Sequence, residues 1–278
     1  MDEGERRSAL PENLHELFPD GGGGRVLRVG LPEGSLVWPD VNYPQHQIPD
    51  RPAYWVSEDR ATGALWARLR AEHPRSGLWP LLLDDSAQAW STGQIAPEPV
   101  KEIDNYDAGA FLAEVWTDVV DAQGGADDEF EDLAPFGREC PGLAGAGVLM
   151  EDPGVVADWY ARILGDRGMP VGLVAVERGA DALAAMGWQG ALNHNAWTAP
   201  LAAVVRSWEE RFGARVVAVG FNCLELSVAA PPVTTRHALH VAAEHWAFCP
   251  ENLVQGPGTL AGYAEEIRNR NTWSFWWD

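Results

Sequence analysis

Tryptophan constrains this chain more than any other feature. Fourteen indoles, at positions 38, 55, 66, 79, 90, 116, 159, 188, 197, 208, 246, 273, 276 and 277, are spread through 278 residues. Each buries a large apolar area and carries a polar N–H, so most of them have to be core. The apolar fraction of 46% and charged fraction of 22% are those of a globular protein and rule out disorder of the whole chain. The length suits one or two domains.

Charge narrows the function classes. The chain carries 20 basic and 41 acidic side chains, net −21. Residues 84–152 alone hold 2 basic and 17 acidic groups, net −15. Such a field repels phosphate backbones and anionic lipid, so neither nucleic acid nor membrane is an expected partner. It attracts a basic protein partner or divalent cations; the plain alternative is a solvated acidic linker. No apolar run reaches the ~18 residues of a membrane span. The start Met-Asp-Glu-Gly-Glu-Arg-Arg never reaches the apolar stretch of a secretory signal. Three cysteines without CxxC spacing argue against a disulfide framework or a thiolate zinc site. A reduced cytoplasm is the expected home, and no cofactor is implied.

Periodicity and punctuation give an α+β chain. Residues 1–24 read as a flexible lead-in in which Leu10, Leu14, Leu17 and Phe18 make an amphipathic turn before four glycines. A smaller N-terminal α/β region, 25–122, is expected to contain a hairpin of 25–30 with 35–38, a strand at 53–56, a helix over 62–72 stopped by His73-Pro74, a buried strand at 78–83 and a helix over 104–122. Residues 123–153 read as an acidic Gly/Pro linker, and 154–278 as the C-terminal domain. That domain predicts, after a short helix near 154–165, a strand at 171–176, helices at 180–186 and 201–212 stopped by Gly187 and Gly213, strands at 216–219 and 224–228, helices from Thr234 or Thr235 to about 248 and over 259–268, and a last strand at 273–277. The order β-α-α-β-β-α-α-β is the split βαβ of ferredoxin-like domains, implying an antiparallel sheet with helices on one face.

Several stretches carry a resemblance. Ser207-Trp-Glu-Glu-Arg-Phe-Gly-Ala-Arg-Val-Val217, Leu224-Glu-Leu-Ser-Val-Ala-Ala-Pro-Pro-Val-Thr234, Glu244-His-Trp-Ala-Phe-Cys-Pro-Glu-Asn252, Gln255-Gly-Pro-Gly-Thr-Leu260 and Trp273-Ser-Phe-Trp-Trp-Asp278 together resemble a bacterial family known only as a domain of unknown function, DUF4253. The resemblance is strongest over about residues 170–278. Gly77-Leu-Trp-Pro-Leu-Leu-Leu83 looks like an N-terminal extension of the same family. It implies no activity and transfers no catalytic residue.

Four groups of residues can carry chemistry. His237, His240 and Glu244 fall on one helical face and offer two imidazoles and a carboxylate to a divalent metal; with Leu239, Ala242 and Trp246 turned to the core, that face is expected to meet solvent. His245 and Cys249, at i and i+4, are the elements of a Cys–His nucleophile, against which stands a structural cysteine at a helix end. The stretch 188–197 sets Trp188, Asn193, His194, Asn195 and Trp197 in one loop, suited to a small polar ligand or a partner side chain, or simply to packing. Trp276 and Trp277, adjacent on a strand, point to opposite faces, so one can be core while the other is exposed as a recognition anchor. A cleft gathering Asn193, His194, Glu225 and His245 is the arrangement that would mark a ligand site. Walker A, GxGxxG, HExxH and GxSxG patterns are absent from the sequence. The expectation is therefore a binding or interaction protein, immunity-like in one specific form, with a metal-dependent or Cys–His hydrolase as the alternative.

Overall fold

The computed structural model describes residues 9–39, 49–84, 95–123 and 127–278. Trp90, Asp85, the start of the lead-in and the middle of the acidic stretch fall outside these residues. Seven strands form one mixed sheet: β1 (Gly34–Val37), β2 (Tyr54–Ala61), β3 (Leu78–Leu83), β4 (Met169–Ala175), β5 (Arg215–Val219), β6 (Cys223–Ser227) and β7 (Thr272–Trp276). Their order across the sheet is β1-β2-β4-β3-β5-β6-β7. Every pairing is antiparallel except β3 with β5, which is parallel. The helices are α1 (Gly63–Ser76), α2 (Ala108–Gln123), α3 (Pro153–Gly165), α4 (Ala182–Met186), α5 (Ala199–Phe212), α6 (Thr235–Phe248), α7 (Glu251–Val254) and α8 (Leu260–Ile267).

This is an α+β architecture, but the strand order departs from the ferredoxin-like expectation. β4 and β5 are not neighbours; β3, from the first third of the chain, lies between them. The sequence of β3 explains why it takes the centre. Leu78-Trp-Pro-Leu-Leu-Leu83 is apolar throughout and every residue of it is buried, as a strand covered on both faces requires. Pro80 has no N–H to give. Register pairing with β5 is confined to Leu82 and Leu83, and across the gap the Trp79 indole donates to Val216 O at 3.0 Å.

Helices cover both faces, not one. On the face that carries Glu225 and Ser274, α3 packs against β5 and β6, and α1 packs on α3. Arg70 of α1 grips Asp158 of α3 through two hydrogen bonds of 2.6 and 2.9 Å, and the Trp66 indole donates to Pro80 O at 2.9 Å. On the opposite face α5 and α6 meet β7: Trp208 stacks on Phe275 at 5.3 Å, and Trp273, Phe248 and His245 pack around the same indole. A further layer follows, with Trp116 of α2 edge-on to Trp246 of α6 at 4.5 Å. Nine of the thirteen described tryptophans are buried; Trp38, Trp159 and Trp197 are exposed and Trp276 is half-buried.

Local signals set most boundaries. Thr62, Asp152, Thr234 and Thr259 each cap a helix by accepting backbone N–H bonds. Gly213 ends α5 at φ 59°, and Gly187 ends α4 at φ 75° with the 96–97 backbone pressed so close that a Cβ would collide with it. Three expectations change. Residues 25–30 form no strand beyond an isolated bridge of Val26 to Ala9, because β1 finds β2 as its partner. Helix α1 runs through Pro74 to Ser76, since Gly77 at φ 68° provides the stop. The described parts of the lead-in and the linker are packed: Leu10, Leu14, Leu17 and Phe18 are buried, and so are Phe130, Leu133 and Ala144.

The edge of the sheet at β7 is closed by a side chain. The Asn252 amide donates to Ser274 O at 2.7 Å and its oxygen accepts Trp276 N–H at 3.2 Å, supplying the pair of bonds that another strand would make. Replacing Asn252 with Leu is expected to cost about 1–3 kcal/mol by urea denaturation, as these groups lose their partners, and to raise light scattering on storage as the edge opens.

Candidate functional site

The carboxyl ends of the parallel pair β3 and β5 face the same way, which is where open sheets with parallel strands tend to bind ligands. Three segments meet there. The Trp188 indole donates to Gly220 O at 2.8 Å in the β5–β6 turn and packs on Trp277 at 5.3 Å. Asn193 donates to Asp278 O at 3.1 Å, and Asn222 donates to Trp277 O at 2.5 Å. His194 Nε2 lies 3.1 Å from Glu251 Oε1 at the start of α7. The loop of Trp188, Asn193 and His194 thus comes together with Trp277 and Asp278 at one end of the sheet, whereas Trp276 lies beside Cys223 on β6. Asn195 accepts Trp197 N–H, and the Trp197 ring is exposed. Most of these polar groups are spent on the protein's own backbone.

Glu225 and His245 are on opposite sides of the sheet and do not join this group. Glu225 projects from β6 toward α3, where Tyr160 donates to it at 2.6 Å. Burial raises its pKa and outweighs the hydrogen bonds from Tyr160 and Ser274. Ser274 is its direct cross-strand neighbour, and Trp276 is that of Cys223. Cys223 is pushed up to about 11 by burial and by the nearby Glu225 and Asp84 carboxylates, so it is a thiol at neutral pH. A cavity of about 270 Å³ lies elsewhere, lined by Arg51, Glu98, Lys101 and Ala175 among others. Glu98 in its wall accepts Thr198 and Ala199 N–H at 2.6 and 2.9 Å and closes the start of α5.

The His237-His240-Glu244 face does not meet solvent as a unit. Helix α6 lies among the sheet face, α5 and α2, so every residue from 241 to 248 is buried, and Glu244 is only 3% exposed. Its carboxylate takes four donors: Arg211 through both terminal nitrogens at 2.7 and 2.6 Å, the Trp208 indole at 2.8 Å and Ala144 N–H at 2.6 Å. His237 donates to Gly145 O and packs by Phe212, whereas His240 donates to Arg236 O and packs by Phe136. Among the described residues no group of three or more His, Cys, Asp or Glu is placed to hold a metal ion.

The Cys249–His245 pair is not assembled either. Cys249 Sγ donates to Trp276 O at 3.0 Å, and burial pushes its pKa up to about 12. His245 is fully enclosed by Trp208, Tyr263, Trp273 and Phe275, with Nδ1 3.2 Å from Tyr263 OH. Its Nε2 and the neighbouring Trp273 Nε1 are buried without a partner among the described residues. Burial, then the Arg211 charge, lowers the His245 pKa from 6.5 to about 3. The residues that sequence reasoning missed are Arg211, Trp208 as a donor, Tyr160, Cys223 and Asn252. Arg211 carried one readable signal: it lies one turn after Trp208 on α5.

Two measurements check this account. Arg211→Met or Glu244→Leu alone is expected to cost about 3–5 kcal/mol in urea denaturation, because the remaining charge is stranded, while the double variant costs less than the sum of the two. The folded-state pKa of His245 lies below its unfolded value, so folding excludes the proton; stability is complete above pH 6.5 and is lost as pH falls from there toward about 3. His245→Phe should fall less steeply across that window, with stability read from denaturation midpoints at each pH.

Helices of the described residues are too short or too polar to cross a membrane. No curated protein and no solved structure matches the chain. Residues 170–278, the span that supplies β4 to β7 and over which the sequence motifs resemble the same family, match the model of the domain of unknown function family DUF4253.

Proposed function

We propose that this protein is a non-enzymatic binding protein that takes a basic protein partner on a fixed acidic face. One observation carries the reading: the described part of the acidic stretch from 108 to 144 packs on the body of the protein. Phe130, Leu133 and Ala144 are buried, the Trp116 indole of α2 donates to Arg138 O at 3.2 Å, and Arg138 reaches Asp121 at 3.1 Å. Glu114, Asp118 and Asp121, at i, i+4 and i+7 on α2, are exposed, as are Glu131 and Glu139 in the segment that follows. Carboxylates on a fixed backbone steer a cationic partner more effectively than the same charges on a loose tail, because no ordering entropy is lost on docking. A specific form of this reading is an immunity-like role, the acidic face covering the basic surface of a toxin. The amide-lined end of the sheet suits a small polar ligand less well, since its groups are already bonded to backbone. The hydrolase alternative lacks support from a thiolate or a convergent ligand set among the described residues.

Capture from a cell lysate on the immobilised protein tests the proposal. A basic protein retained at low salt and released at high salt is the expected result. The Glu114→Lys/Asp118→Lys variant should lose about tenfold or more in affinity for it, mainly through slower association. Retention unchanged by salt and by these substitutions would sink the acidic-face reading.

A further inference from the structure

The cavity of about 270 Å³ is walled by the start of β2, the ends of β4 and α4, and residues 97–101. It approaches the roughly 300 Å³ at which small-ligand pockets begin. Its walls are apolar over Leu17, Pro49, Pro52, Pro97, Pro99 and Ala185. Proline fixes its own φ and has no N–H, so the four prolines stiffen the walls and bring no backbone donor to them. The segment that carries Pro97 and Pro99 is fastened along its length. Ala96 N–H donates to Gly187 O at 3.0 Å and Glu98 N–H to Ala184 O at 2.9 Å, and on the other wall Ala53 N–H donates to Val37 O at 2.8 Å. The cavity is thus formed before any ligand arrives, which lowers the ordering cost of filling it.

Three charged residues line it: Arg51, Glu98 and Lys101. Glu98 is only 6% exposed, and its two oxygens face the first N–H groups of α5. Arg51 and Lys101 are exposed. In a chain with 41 acidic and 20 basic side chains a cation readily finds a carboxylate, as Arg70, Arg178, Arg206 and Arg211 do. Arg51 and Lys101 make no ion pair or side-chain hydrogen bond among the described residues, and Lys101 is the only lysine of the chain. Two uncommitted cations beside stiff apolar walls select for an anionic head on an apolar body. The guanidinium can give two parallel N–H bonds to a carboxylate or phosphate, and the ammonium adds a point charge. The body displaces water from the proline walls, which a bare inorganic ion would leave wet. We propose that this cavity binds a small organic anion, with its carboxylate or phosphate head held by Arg51 and Lys101 and its apolar body against the prolines. The site shares no residue with the acidic face on α2 and does not rest on that reading.

The single lysine makes the test specific. Reductive methylation of the full chain with ¹³C-formaldehyde keeps the charge of Lys101 and gives one side-chain signal, which reports on this cavity alone. Benzoate and phenyl phosphate, titrated separately, are the probes, with benzyl alcohol and inorganic phosphate as controls. At least one of the two aryl anions is expected to shift the Lys101 signal saturably, with a dissociation constant of about 1 mM or tighter, and the better of the two identifies the head group. Calorimetry on unmethylated protein should give one site per chain. Arg51→Gln and Lys101→Gln are each expected to weaken binding about tenfold or more, Lys101→Arg to retain most of it, and Ala185→Leu to exclude the aryl body by filling the apolar wall. Unchanged circular dichroism shows that these variants are folded. Three results would overturn the proposal: no saturable shift with either aryl anion, inorganic phosphate binding as tightly as phenyl phosphate, which marks an adventitious ion only, or binding indifferent to Arg51→Gln and Lys101→Gln.

Discussion

The buried pair of Arg211 and Glu244 is the contact on which three layers of this protein depend. A carboxylate on the middle of α6 is enclosed by a guanidinium and an indole from α5 and by the backbone N–H of Ala144. The same arginine donates to Ala144 O, and its own carbonyl accepts Gly147 N–H. One ion pair therefore sets the spacing of α5 and α6 and ties down the segment that enters α3. A buried charge is tolerated only where its hydrogen-bonding capacity is filled, and here four donors fill it. Such a pair contributes little net stability compared with apolar residues of the same shape; what it supplies is a single allowed arrangement of the three segments.

Around that pair the tryptophans divide into two kinds. Trp208 and Trp273 are interior surface, packed ring on ring with phenylalanine and histidine between the sheet and the helices, and Trp246 meets Trp116 in the layer beyond. Trp66, Trp79 and Trp188 are structural donors, their indole N–H groups reaching backbone carbonyls across strands and turns. The second use explains how a proline survives in the central strand and how the end of the sheet is held to the loop after α4. Through Trp188 and Asn193 that loop clasps the β5–β6 turn and the last residues of the chain.

Much of the fold was legible because its signals are local. The glycines after α4 and α5, the threonine caps of α6 and α8, and the alternation of Leu224, Leu226 and Val228 gave their elements within a residue or two. What was not legible is long-range. Nothing in Leu78–Leu83 says that it will lie between β4 and β5, because a continuous apolar strand has no preference for either neighbour. The expectation of a solvent-facing His237-His240-Glu244 face changes for a related reason. Helical periodicity places His237, His240 and Glu244 together, but it is silent on long-range packing, and α5 with residues 136–145 covers the side of α6 that an isolated helix on a sheet would leave in water. The loop of Trp188, Asn193 and His194 was found as a group, whereas Tyr160 and Glu225, sixty-five residues apart, carry no mutual signal at all.

The position of β3 bears on modularity. The family-matched residues supply β4, β5, β6 and β7, yet β4 and β5 never touch one another, and the strand joining them comes from far upstream. The matched segment is therefore an arch without its keystone. Severed from the preceding residues it would leave two unsatisfied inner edges facing each other across a strand-wide gap.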